Sequence, residues 1–170
     1  MFKTFDAVAV FAIAGWGFAT AAIDLRERRV PNQMTFGIAT LGFLLAAFHL
    51  TGVGVVSALA GLAVGLVLML PSHVIGATGA GDVKLLAAFG TLLGPGRTGW
   101  AFLYTAIAGG AIALIVATRR KRIRVTIERT TALLQKAPGT AAAIEHPQED
   151  NRFAYAPAIV AGALAAAMGL

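Results

Sequence analysis

Cysteine is absent from all 170 residues. Its absence excludes disulfides, cysteine-ligated zinc and a thiol nucleophile. Charge is scarce as well: 13% of the residues are charged, against about 25% in an ordinary soluble domain. Acids are scarcer than bases, with eight Asp and Glu against 14 Lys and Arg and a net charge of +6. The three histidines, His49, His73 and His146, are scattered without the spacing of a metal site, so neither a metal nor a cofactor is expected.

Long apolar runs stand in place of charge, and 58% of the chain is hydrophobic. This composition reads as an all-α, polytopic membrane protein with one membrane-embedded domain over residues 1–170, since so short a chain made mostly of spans leaves no room for a large soluble domain. Six spans are expected, over residues 7–23, 33–50, 53–70, 83–96, 99–118 and 153–170. Pro31-Asn32, Thr51-Gly52, Pro71-Ser72-His73 and Gly94-Pro95-Gly96 punctuate them. The fourth is short: at 1.5 Å per residue it covers about 20 Å, less than the roughly 30 Å of a hydrocarbon core. Such a helix must tilt, start inside the membrane boundary or line a cavity.

The basic residues are blocked. Arg26, Arg28 and Arg29 follow the first run, and Arg119 to Lys136 carry seven more in a basic loop over residues 119–151. Blocks of this kind beside spans hold their side in the cytoplasm and face anionic lipid headgroups. Both termini are then expected outside. Ile123, Ile127 and Leu134 keep near-helical spacing among the charges, which suits either an amphipathic helix on the lipid surface or a solvated charged helix. The first run could also be a signal peptide ending near Ala19-Thr20-Ala21, but its positive block follows the run instead of preceding it. Nucleic acid is not an expected partner, because no binding module accompanies the charge.

Two acids stand out by position. Asp24 ends the first run, and Asp82 sits where Gly76-Ala77-Thr78-Gly79-Ala80-Gly81 meets the fourth. Each taken alone could be an interfacial helix cap, yet ionisable groups at membrane depth usually mark chemistry or transport. Two carboxylates brought close share a proton, and such a pair can hydrolyse a peptide: one acid activates water while the other protonates the scissile carbonyl and then the leaving amine. Gly79 and Gly81 let backbone bend and an extended substrate approach. Helix polarity favours Asp82, at a helix N-terminus, as the base and Asp24 as the acid. Lys84 neutralises Asp82, orients the substrate or snorkels to headgroups.

Gly79-Ala80-Gly81-Asp82-Val83-Lys84-Leu85 resembles the GxGD signature of the type IV prepilin peptidases, and Asp24-Leu25-Arg26-Glu27-Arg28-Arg29-Val30-Pro31-Asn32 is similar to their first-aspartate motif. Ala154-Tyr155-Ala156-Pro157 is similar, less closely, to the family's Pro-aromatic-Gly-Pro start of the last span, and no role is assigned to it. The resemblance implies a membrane aspartyl protease with Asp24 and Asp82 as its catalytic pair. Arg26, Pro31 and Asn32, with Gly79, Gly81 and Lys84, would support the pair or position the substrate. It further implies cleavage of the basic leader of prepilin-like precursors at the cytoplasmic face of a bacterial inner membrane. Larger members N-methylate the new terminus and carry paired cysteines; this chain resembles the short, peptidase-only form of tight-adherence (Flp-type) pili. The competing readings are a proton-coupled transporter with inverted halves, each carrying one Asp, and a non-catalytic pilus-assembly scaffold. A phosphate-binding role for the glycine-rich turn lacks the Gly-Lys-Ser/Thr ending it would need.

Overall fold

The computed structural model describes residues 4–119 and 154–170. Among these residues the chain is all-helical, with α1 (Thr4–Glu27), α2 (Asn32–Ala47), α3 (Val55–Val74), α4 (Ala80–Arg119) and α5 (Ala156–Met168) and no strand. The basic loop beyond Arg119, with the amphipathic segment expected in it, lies outside the described residues.

Among the described residues three helices are long and apolar enough to cross a membrane: Ala7–Glu27, Val55–Val74 and Ala80–Ile115. α2 and α5 are shorter apolar helices. Large apolar side chains cover the outside, Phe11, Phe36, Phe48, Val56 and Val67 among them, each exposed over two thirds or more of its surface. A water-facing surface rarely carries apolar patches of that extent, whereas lipid accepts them.

α4 is broken at Gly94, whose φ of 72° and ψ of 172° are not helical. The break reverses the chain. Tyr155 lies against Gly109 and within electrostatic reach of Asp82, although a straight helix would hold residues 82 and 109 about 40 Å apart. The punctuation at Gly94-Pro95-Gly96 is therefore one left-handed residue followed by a proline at the start of the returning stretch, not a loop. Pro95 suits that place, where its missing N–H has no partner to lose.

Contacts along the helices fix their directions. Gly17 packs on Val160, and Asp24 meets Ala156, so α1 and α5 are antiparallel. Gly61 and Gly65 press against Gly90 and Ala87, so α3 opposes the first stretch of α4, and α2 runs alongside that stretch with Asn32 at Lys84 and Gly42 at Thr91. A Cβ on Gly61 would lie 2.0 Å from the Gly90 carbonyl oxygen. Only glycines allow two backbones to cross so closely.

The first stretch of α4 is the centre of the bundle. From Asp82 to Gly94 every residue but Lys84 is buried, and Leu85, Leu86, Phe89 and Leu92 form the core with Ile13, Ile38, Met69 and Ile159. A helix apolar all round belongs inside. Its shortness follows, because neighbouring helices and not lipid cover it.

α3 outruns its expected end at Pro71 and continues to Val74. Pro71 forfeits one intrahelical hydrogen bond, but the Ser72 hydroxyl donates to the Met69 carbonyl at 2.7 Å. Left-handed Gly76, with φ of 78°, then ends the helix as a C-terminal glycine does.

Candidate active site

One end of the bundle collects the last turn of α1, the starts of α2, α4 and α5, and the end of α3. The turn after α1 is made by Arg28, left-handed with φ of 51°, whose N–H donates to the Asp24 carbonyl at 2.8 Å. Pro31 precedes α2 in extended conformation, and its carbonyl accepts from Met34 N–H at 3.1 Å. Asn32 opens α2, and its side-chain oxygen accepts from Lys84 Nζ at 2.9 Å, tying the starts of α2 and α4.

The glycines before Asp82 have separate tasks. Gly79 stands just ahead of α4, and its N–H donates to Asp82 Oδ2 at 3.0 Å while its carbonyl accepts from Asp82 N–H at 3.1 Å. This is the carboxylate half of a capping box. Gly81 lies against the turn after α1, where a Cβ would come within 3.0 Å of Val30 Cβ. A side chain at Gly81 would push α4 off the segment that carries Asp24.

Asp24 and Asp82 are both buried, 4% and 9% exposed. Asp24 lies close enough for its charge to act on the Asp82 carboxyl, as does His73. Asp24 Oδ2 accepts from the backbone N–H of Ala156 at 3.1 Å. Each acid thus faces an N–H at the start of a helix, Asp82 that of its own α4 and Asp24 that of α5. Helix polarity no longer separates their roles.

The structure brings Asp24, Asp82, Gly79, Gly81, Lys84, Pro31 and Asn32 to this one end. Arg26 is exposed in the last turn of α1 and joins none of these hydrogen bonds. Sequence reasoning missed two participants. His73 contacts the Thr78 carbonyl through Nδ1 at 3.0 Å, and Ser72 and Thr78 share a hydroxyl hydrogen bond of 2.9 Å, so the end of α3 braces the loop before Gly79. The other is the Tyr155-Ala156 start of α5; Pro157 beside it was a legible helix-start signal. Among the described residues no group of three or more His, Asp and Glu is placed to hold a metal ion.

The sequence model of the type IV leader peptidase family matches residues 11–114, more than half of the chain, with both aspartates inside the match. The chain belongs to the type IV leader peptidase family. No curated protein and no solved structure matches it. Family and apolar helices together make this leader peptidase an integral membrane protease. Its α5 lies beyond the matched stretch.

Proposed function

We propose that this leader peptidase is an aspartyl endopeptidase that removes the leader of prepilin-like precursors at the cytoplasmic face of a bacterial inner membrane. The observation that carries the reading is the burial of two carboxyls, from α1 and α4, within electrostatic reach of each other at the end of the bundle where the basic turn after α1 lies. One carboxylate takes a proton from water as the oxygen attacks the scissile carbonyl. The other, protonated, donates to the carbonyl oxygen, and the pair then returns a proton to the departing amine as the C–N bond breaks. The turn 75–79 beside Asp82, exposed except at half-buried Thr78, is where an extended leader segment would approach.

The chain crosses the membrane six times on this reading, counting α4 twice because of its reversal at Gly94, with both termini outside and the basic turns among anionic headgroups. The absence of cysteine supports the peptidase-only, Flp-type form without N-methyltransferase activity.

The test is co-expression with a pilin-like precursor and mass measurement of the product. Wild type shortens the precursor by its leader and adds no methyl group, while Asp24→Asn and Asp82→Asn each leave it whole. Precursor processed by both variants would sink the proposal. Loss of proton-coupled uptake with processing intact would make the protein a transporter, and loss of neither a scaffold.

A further inference from the structure

The donors at the start of α5 can be counted one by one. Ala158 and Ile159 give their N–H groups to the Tyr155 carbonyl at 3.0 and 3.2 Å. Pro157 has none to give. Ala156 N–H is left, and Tyr155, in the capping position, makes no side-chain cap bond. That remaining donor is the one Asp24 accepts, across a gap of 132 residues and in a buried setting. A buried carboxyl without such a partner is costly, so the donor's location decides where the carboxyl rests.

Gly162 seats α5 against Ala101 and Thr105 further along, and at its first turn the residue before the donor adds a second hold. The Tyr155 ring lies on α4's returning stretch over Gly109, where an added Cβ would come within 2.4 Å of ring carbon Cε2 and 2.7 Å of the hydroxyl oxygen. Its hydroxyl reaches the Thr105 carbonyl at 3.5 Å, on the same stretch of α4 that the ring covers. We propose that Tyr155, seated in the notch at Gly109, is a positioning residue that sets the start of α5 and through Ala156 N–H holds the Asp24 carboxyl toward Asp82. It acts through the position of Asp24, and its own ring also lies within electrostatic reach of Asp82. The proposal rests on the catalytic reading of Asp24, yet the Tyr155–Ala156–Asp24 linkage can be measured without catalysis.

The full chain in detergent, with a pilin-like precursor, is assayed for kcat and KM as wild type, Tyr155→Phe, Tyr155→Ala, Gly109→Ala and the double variant. Infrared spectra of the carboxyl stretch, with Asp24→Asn as reference, follow Asp24 in each. Tyr155→Ala lowers kcat by about tenfold to a hundredfold at nearly constant KM and shifts the Asp24 band. Tyr155→Phe, keeping the ring over Gly109, leaves the Asp24 band where wild type has it. Gly109→Ala displaces the ring and lowers kcat alone, but adds nothing in the Tyr155→Ala background because both act through one contact. An unmoved Asp24 band and unchanged kcat in Tyr155→Ala and Gly109→Ala, or independent effects that multiply in the double variant, would overturn the proposal. If Tyr155→Ala does not fold, the band in Gly109→Ala decides. If wild type cleaves no precursor, the catalytic reading falls and the infrared comparison still decides the linkage.

Discussion

A carboxyl buried among apolar helices is stable only while donors face it, and in this bundle each aspartate has a backbone N–H for the purpose. Main-chain donors hold position only as well as their helices do, which gives the side-chain tie between Lys84 and Asn32 its importance. The pair is exposed, so its bond adds no more than about 1 kcal/mol to stability. Its geometric effect is larger, since it fixes the start of α2, next to the turn carrying Val30, against the helix of Asp82. We expect Lys84→Met and Asn32→Ala each to lower cleavage by about threefold to tenfold, and the double variant to fall no further than either single one. Steady-state cleavage by the four proteins, with unfolding midpoints in detergent, checks this. If Lys84 only snorkels to headgroups, Asn32→Ala will match wild type and the tie has no part in the site.

At the scale of elements, α4 makes the sharpest demand on one residue. Gly94 has room for a Cβ, its nearest neighbours being Val53 methyls at 3.7 Å, but its backbone lies in a region nearly closed to other residues. Gly94→Ala should therefore cost about 1–3 kcal/mol through backbone strain alone. Gly96, with nothing within 4 Å of an added Cβ and no positive φ, should accept alanine at no loss and with a gain of up to about 1 kcal/mol in helix propensity. Thermal unfolding of the two variants in detergent tests the contrast, and equal midpoints would refute it. The same helix shows what was legible beforehand. The apolar runs and the glycine-proline break are local signals, and they located the chain reversal even though the helix resumes at Pro95, sooner than a loop would allow. The GxGD turn was legible because acids are scarce in this chain, eight in 170 residues, and Asp82 stands where a glycine-rich turn meets an apolar run. The part played by Ala156 was not, because a backbone N–H leaves no mark on sequence and its partner lies across the fold. Nor did Pro71 stop α3, since one lost hydrogen bond in a last turn is tolerated where Ser72 and Gly76 organise the end.

For the whole molecule, the alternation of helix directions puts the turn after α3 at the end holding both aspartates and the turn after α2 at the other. Basic residues follow the same division, with Arg26, Arg28, Arg29 and Lys84 at the aspartate end, and on the proposed orientation this basic end is the cytoplasmic one. The cysteine-free chain makes this measurable without background labelling. Ala77→Cys places one thiol in the exposed turn after α3, and Gly52→Cys places one in the turn after α2, where an added Cβ meets nothing within 4 Å. A membrane-impermeant maleimide applied to cells whose outer barrier alone has been opened should label Gly52→Cys and spare Ala77→Cys, and lysis should make both reactive. Since a leader can be cut only on the side where it emerges from synthesis, the reverse pattern would place the two acids beyond reach of any newly made precursor. Labelling of both thiols before lysis would instead deny that the two turns lie on opposite sides, and with it the alternation from which the orientation follows.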